Sequence, residues 1–162
     1  MNLKDLAKHT ARIQPNHSIL LYGPPKSGKT KLVGTAAQLP EIKNIYWFDL
    51  ENGVETLVHM GLSDEEMEKI TVIKLPDTRE NPIAIETMLR VFSAKQPVRI
   101  CDEHGKVNCV QCKDKGGVDF HLGQCGHHDL IVIDSGSQLG DSAINATCKG
   151  KDVMFKPGWD EY

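Results

Sequence analysis

The segment Gly23-Pro24-Pro25-Lys26-Ser27-Gly28-Lys29-Thr30 constrains this chain more than any other, because it matches the pattern G-x-x-x-x-G-K-[ST] in full. A short apolar run, residues 18–22, precedes it, and helix-forming residues follow it from Lys29 to Leu39, where Pro40 ends the stretch. A loop of this kind between a buried strand and a helix presents backbone N–H groups to phosphate oxygens. The sequence therefore predicts that residues 23–30 bind a polyphosphate.

The residue types of the loop indicate how the phosphates would be held. Pro24 and Pro25 have no N–H, so we expect the donors to come from the second half of the loop and the start of the helix. Lys29 is expected to neutralise the β- and γ-phosphates, and the Thr30 hydroxyl is expected to ligate Mg²⁺. The predicted ATP and magnesium site comprises Gly23, Pro24, Pro25, Lys26, Ser27, Gly28, Lys29, Thr30 and Lys31.

Two acidic residues are the natural partners of such a loop. Asp134 ends the apolar run 130–134 and is expected to help hold the magnesium ion. Glu51 follows the predicted strand 44–49 and is the candidate general base that orients or deprotonates the attacking water. Asp49 lies two residues before it and is the alternative for that role.

The predicted elements alternate between strand and helix. Strands are expected at 18–22, 44–49, 70–75 and 130–134. Helices are expected at 2–12, at 29–39, after the capping residue Ser63 and after Pro82. The apolar face of the last helix is expected to contain Ile83, Ile85, Met88, Leu89 and Phe92. This alternation predicts an α/β fold with a mainly parallel sheet flanked by helices. We expect one domain over residues 1–162, with residues 97–128 inserted between a helix and the following strand.

The insertion is rich in metal-binding residue types. Residues 97–128 contain four of the five cysteines and four of the seven histidines. In the spacing Cys101-x₂-His104-x₄-Cys109-x₂-Cys112, each pair separated by two residues can approach one ion from a tight turn, and two pairs complete a tetrahedron. Structural Zn²⁺ is the predicted ion, because a segment of this size has little core of its own.

Other ligand sets are open at this stage. His121, Cys125, His127 and His128 form a competing set, and Cys125 or His127 could replace His104. A metal-free loop and a redox dithiol at Cys109 and Cys112 are further alternatives.

Composition limits the partners. The net charge is −3, so any contact with nucleic acid needs a local patch, for which Lys106, Lys113 and Lys115 are candidates. No apolar run approaches the ~20 residues that span a bilayer, and the first twelve residues do not resemble a signal peptide. We therefore predict a cytoplasmic protein without membrane contact.

The order of these motifs resembles the ATPase core of RecA-like recombinases. Residues 45–51 look like the family's strand that delivers the catalytic glutamate, and residues 75–80 resemble its segment after the third strand. Residues 22–30, 133–139 and 158–162 resemble more narrowly the phage-encoded RecA-like ATPases, a group that includes single-strand annealing proteins. The resemblance covers roughly residues 17–95 and 129–162.

This resemblance implies an ATP-hydrolysing protein that acts in phage DNA recombination or single-strand annealing, in the host cytoplasm. Its expected partners are single-stranded DNA, further copies of itself and other recombination proteins. Family members continue past the fourth strand with DNA-binding loops and a residue that senses the γ-phosphate, which implies an N-terminal fragment or a reduced protein. The alternatives are a nucleotide-binding assembly module with little turnover and a P-loop kinase of nucleosides or small molecules.

Overall fold

The computed structural model describes residues 17–113 and 115–148, and these form an α/β fold. The described helices are α1 (Lys29–Gly34), α2 (Glu55–Val58), α3 (Asp64–Glu68), α4 (Ile83–Ser93) and α5 (Gly136–Thr147). The strands are β1 (Asn44–Asp49), β2 (Ile70–Lys74), β3 (Val98–Cys101), β4 (Gly117–Phe120) and β5 (Asp129–Asp134). Short 3₁₀ turns occur at Thr35–Gln38, Val110–Cys112 and Leu122–Gln124.

The central sheet of the described part has three parallel strands in the order β2-β1-β5. The β1–β5 register runs from Asn44 beside Asp129 to Asp49 beside Asp134. Because all three strands are parallel, their carboxyl ends meet at one edge, where α/β proteins place ligands. The predicted α/β fold with a parallel sheet flanked by helices is confirmed at this level.

Side chains of β1 divide between the two faces of the sheet, as expected for a strand covered on both sides. Ile45 and Trp47 belong to one buried cluster, which also contains Ala37, Leu57, Leu62 and Val132. Phe48 belongs to the other cluster, together with Leu50, Ile73, Leu75, Met88 and Val91. Burial of these apolar side chains on both faces is what holds the helices to the sheet.

The insertion packs against the sheet, because part of it belongs to the buried cluster that contains Phe48. β3 and β4 form an antiparallel hairpin, and Phe120 at the end of β4 is 2% exposed. The Phe120 ring makes edge-to-face contacts with Tyr46 and Phe48 of β1, with ring centroids 5.0 and 5.4 Å apart. The hairpin therefore compensates for its own small core by packing on that of the sheet.

The prediction of a buried strand at residues 18–22 is wrong. Residues 17–23 have no helical or strand structure, and the side chains of Ile19, Leu20 and Tyr22 are 81%, 84% and 91% exposed. An apolar run becomes a strand only when a neighbouring strand accepts its backbone hydrogen bonds, and the run does not itself specify that partner. In the described part, β5 pairs with β1 alone.

Most other predicted elements are present. Ser63 caps α3 with a complete capping box, in which its hydroxyl accepts from the Glu66 N–H and the Glu66 carboxylate accepts from the Ser63 N–H. The helix predicted at 29–39 is α-helical only to Gly34 and then tightens into a 3₁₀ turn.

The predicted apolar face of α4 is only partly right. Ile83 and Met88 are buried, but Leu89 and Phe92 are 63% and 41% exposed. The buried side of the helix instead includes Ala84, Thr87 and Val91. The predicted helix 2–12 and the motif at 158–162 lie outside the described residues. Within the described ranges, no helix is long and apolar enough to cross a membrane.

Candidate functional site

The glycine-bearing loop leads directly into α1, as predicted. Gly28 has a φ of 86°, a left-handed conformation that residues with a Cβ rarely adopt, and α1 starts at the next residue. The Lys29 ammonium group bends back over the loop, where its Nζ donates to the carbonyl oxygens of Gly23 at 3.0 Å and Pro24 at 3.1 Å. The lysine is thus held above the segment predicted to receive phosphate.

The loop is joined to the sheet through Thr30. The Thr30 hydroxyl donates to Asp134 Oδ2 at 2.9 Å, which links the first turn of α1 to the carboxyl end of β5. These two residues are the predicted magnesium ligands, and the structure brings them together across 104 positions of sequence. The contact places the end of the loop at the sheet edge.

Glu51 and Asp49 lie at the same edge. Ser135, the residue that caps α5, donates its hydroxyl hydrogen bond to Glu51 Oε1. Asp49 Oδ1 accepts from the Gly53 N–H at 3.0 Å, and the backbone N–H of Leu50 donates to the Asp134 carbonyl at 2.7 Å. The turn that carries Glu51 is therefore fixed at both ends.

The groups at this edge of the sheet change the pKa of Asp134. Burial raises the pKa of the Asp134 carboxyl, and the nearby charges of Glu51 and Asp49 raise it further, against the opposing effects of the Thr30 hydrogen bond and Lys29. A carboxylate in this state gains from a nearby cation, because the cation favours the ionised form.

Sequence analysis did not anticipate Ser135 as a partner of Glu51 or Gly53 as a close neighbour. A Cβ on Gly53 would lie 3.3 Å from Asp134 Oδ2 and 3.8 Å from Thr30 Oγ1. The position of Ser135 directly after Asp134, where it caps a helix, could have indicated that it lies at the site. The approach of Gly53 to Asp134 depends on the folded structure, and no local sequence pattern predicts it.

A second site lies in the insertion. Cys101, His104, Cys109 and Cys112 offer ligand atoms that all lie within 4.8 Å of one another, so this group could hold a metal ion such as zinc. The His104 Nδ1 is 3.2 Å from Cys112 Sγ and 3.8 Å from Cys109 Sγ. Tetrahedral zinc with three thiolates and one imidazole separates its ligand atoms by about 3.5–3.8 Å. The donor set suits that ion, and the separations in the structure, from 3.2 Å to at most 4.8 Å, bracket this range.

Two tight turns build the cluster. Cys101 ends β3, and a turn closed by the Gly105 N–H on the Cys101 carbonyl at 3.0 Å brings His104 back toward it. Cys109 precedes the 3₁₀ turn at Val110–Cys112 and Cys112 ends it, and the Cys112 N–H donates to the Cys109 carbonyl at 3.3 Å. The two predicted ligand pairs therefore face each other.

The cysteines of the second pair have opposite electrostatic environments. Burial and hydrogen bonding to Glu103 raise the pKa of Cys112 to about 12. For Cys109, burial opposes ionisation, but hydrogen bonds from the Gln111 backbone and the Cys101 thiol lower its pKa overall. Glu103, whose Oε2 lies 3.4 Å from Cys112 Sγ, was not singled out from the sequence.

The competing residues lie outside this cluster. Cys125 Sγ donates to the His121 carbonyl at 3.7 Å, and His128 Nδ1 contacts the Glu41 carbonyl at 2.7 Å. Within the described residues, the group able to hold a metal ion contains none of His121, Cys125, His127 and His128. Lys106, Lys113 and Lys115, which were predicted to form a basic patch, are exposed on the insertion.

These features define the chain as an α/β protein with a parallel three-stranded sheet in its described part and a Cys₃His group able to hold a metal ion. Comparison with protein-family models, with curated proteins and with solved structures found no match for this chain.

Proposed function

We propose that this protein is a RecA-like P-loop ATPase that acts in phage DNA recombination or single-strand annealing. The observation that carries the proposal is the hydrogen bond from Thr30 to Asp134, because these two residues have the types and positions expected of magnesium ligands. The proposal does not use a strand before the loop. It rests on the loop, its lysine and the two carboxylates at the sheet edge.

In this mechanism, the backbone N–H groups of residues 26–30 receive the phosphates of ATP. Lys29 leaves its two carbonyl partners, Gly23 and Pro24, and moves to the β- and γ-phosphates, which offer stronger, charge-assisted acceptors. Thr30 and Asp134 would hold the Mg²⁺ that accompanies ATP, and this ion would neutralise part of the phosphate charge.

Glu51 is the proposed general base. Its carboxylate is oriented by Ser135 at the edge of the sheet, so that its other oxygen is available to a water molecule. A positioned carboxylate of this kind contributes roughly 10²–10⁴-fold to the rate of hydrolysis.

The insertion, residues 97–128, is proposed to contact single-stranded DNA. Its exposed lysines, Lys106, Lys113 and Lys115, are the proposed contacts to the phosphates of the DNA. Contacts to phosphates make binding depend on salt concentration. Association of several copies on DNA is part of the proposal, and sedimentation with and without oligonucleotide measures it.

Steady-state ATP hydrolysis, measured with and without single-stranded DNA in the wild type and in Lys29→Ala, tests the proposal. We expect magnesium-dependent turnover that DNA increases and that the variant lacks. Nucleotide binding without turnover would favour an assembly module, and phosphate transfer to a nucleoside would favour a kinase. Turnover retained in Lys29→Ala would refute the assignment of the site.

A further inference from the structure

Asp49 is the one carboxylate among the buried residues of the described part, at 2% exposure. Its Oδ1 accepts from the Gly53 N–H, but its Oδ2 is buried and has no hydrogen-bond partner among the described residues. A buried carboxylate oxygen without a donor costs several kcal/mol. This oxygen therefore calls for a donor that the neighbouring side chains do not supply.

The surroundings of Asp49 indicate where such a donor would come from. Asp49 and Asp134 are register partners at the ends of parallel strands, so their side chains leave the same face of the sheet. Gly53 lies between them, since its N–H donates to Asp49 and a Cβ at this position would come within 3.3 Å of Asp134 Oδ2 and 3.8 Å of Thr30 Oγ1. The unpartnered oxygen thus belongs to a carboxylate that is one glycine away from the Thr30–Asp134 pair.

A lysine does not fill this need in the structure, because Lys29 is bound to the carbonyl groups of Gly23 and Pro24. A hydrated divalent cation would fill it. Mg²⁺ retains several water molecules when it binds to proteins, and each of them offers polarised O–H donors. Its charge would also offset the repulsion between the carboxylates of Asp49 and Asp134.

We propose that Asp49 is a third group of the cation site: when a divalent cation is held at Thr30 and Asp134, the turn at Gly53 shifts and uncovers Oδ2, which accepts hydrogen bonds from water molecules on that cation. The inference rests on the proposed function, for which that cation accompanies the nucleotide. Asp49 is then a positioning residue for the cation and not an alternative to Glu51 as the general base, because its Oδ1 already accepts a hydrogen bond from the Gly53 N–H.

The test is the binding of Mn²⁺, which prefers the same oxygen ligands, to the full chain with and without ADP, followed by electron paramagnetic resonance. Asp49→Asn keeps an oxygen acceptor for the Gly53 N–H but replaces the free oxygen by an NH₂ donor. We expect its affinity for Mn²⁺ to fall at least about tenfold, the cost of roughly one lost charge-assisted hydrogen bond. ADP affinity without metal should stay unchanged.

The matched control is Asp129→Asn, which changes the carboxylate at the opposite end of β5, where Asn44 is its partner. It should bind Mn²⁺ like the wild type. Wild-type Mn²⁺ affinity in Asp49→Asn would overturn the inference while leaving the proposed function intact. If the wild type binds no ADP, the proposed function fails, and the Mn²⁺ titration without nucleotide still decides the role of Asp49.

A measurement on the wild type covers the case in which Asp49→Asn does not fold. Substoichiometric Mn²⁺ should broaden the backbone NMR signals of Asp49 and Gly53 before those of Asn44 and Asp129. Equal broadening at both ends of the strands, or none, would overturn the inference.

Discussion

Thr30 and Asp134 are joined by a 2.9 Å hydrogen bond that connects the glycine-bearing loop to the last residue of β5. The bond turns two separate sequence motifs into one site. It also means that Asp134 lies in a partly buried position beside two further acidic residues, Glu51 and Asp49, which raise its pKa beyond the effect of burial. The site is therefore built with an excess of negative charge.

Asp134→Asn should stabilise the fold at neutral pH. A raised pKa means that the folded chain holds this proton more tightly than the unfolded chain, so the free energy of unfolding falls as the pH rises from about 4 through the folded-state pKa. Asparagine has no such titration and still accepts from Thr30. Chemical denaturation at several pH values should show the two proteins converging in acid and the variant ahead at pH 7.

Asp129→Asn is the control for that series, and its effect on the free energy of unfolding at neutral pH should have the opposite sign. The hydrogen bond from Asn44 lowers the pKa of Asp129, so its stabilising contribution is present above the ordinary carboxyl pKa and is lost as the pH falls through the folded-state value. Asp129→Asn should lose stability at neutral pH and little in acid. A gain in stability at pH 7 for this variant, or none for Asp134→Asn, would contradict the electrostatic account.

Glu51→Gln should separate binding from turnover. Glutamine keeps an oxygen that accepts from Ser135 but cannot take a proton from water, so the rate of ATP hydrolysis should fall by roughly 10²–10⁴-fold while ATP affinity is retained. Single-turnover hydrolysis and equilibrium binding measure the two quantities. Undiminished hydrolysis would move the role of base to another residue.

Ser135→Ala is the companion variant, because it removes the partner of Glu51 and keeps the carboxylate. We expect an intermediate loss of rate from a base that is present but less well oriented. A rate equal to that of the wild type would show that Ser135 does not position Glu51.

The purified protein should contain about one zinc ion per chain, bound by the four clustered ligands. Cys109→Ser/Cys112→Ser should lose it, whereas Cys125→Ser, which changes a cysteine outside the cluster, should keep it. Elemental analysis decides between these outcomes. A wild-type protein that is free of metal as purified would end the zinc assignment.

Loss of zinc should destabilise the whole domain rather than the insertion alone. Ile100 and Phe120 of the hairpin belong to the same buried cluster as Phe48 of the sheet. Chelation should lower Tm by about 5 °C or more, since one kcal/mol corresponds to roughly 2–4 °C for a domain of this size. A transition confined to the hairpin, with the sheet unaffected in hydrogen exchange, would contradict this coupling.

Phe120→Ala tests the same packing from the apolar side. Removal of a fully buried ring that contacts Tyr46 and Phe48 should cost about 3–5 kcal/mol in the free energy of unfolding. Val110→Ala is the matched control, because Val110 lies in the same insertion but is 76% exposed, and its loss should cost less than about 0.5 kcal/mol. Equal effects of the two substitutions would show that the hairpin does not share the core.

The sequence predicted β1, β2 and β5 within one residue because each is a short apolar run with clear turn residues around it. It also predicted the four residues that the structure brings together as a group able to hold a metal ion, since the C-x₂-H and C-x₂-C spacings act within single turns that need no long-range information. Local patterns of this kind carry their own geometry.

The errors concern features that depend on a distant partner. Residues 18–22 resemble a strand, but whether they join the sheet depends on the edge of β5 that has no partner among the described residues, more than a hundred positions away. The exposed side of α4, with Leu89 and Phe92, likewise depends on which elements cover the helix. Burial of Asp49 and the approach of Gly53 to Asp134 arise from strand register, which the sequence does not show.

The central claim is that residues 23–30 bind a polyphosphate with the help of Lys29. Isothermal titration of Mg²⁺-ATP into the wild type, Lys29→Ala and the exposed control Lys95→Ala tests it most directly. The wild type and Lys95→Ala should bind alike, and Lys29→Ala should bind at least about 100-fold more weakly, as expected for loss of strong charge-assisted bonds to phosphate. Equal affinity of all three proteins for Mg²⁺-ATP, or no binding by the wild type, would contradict the account.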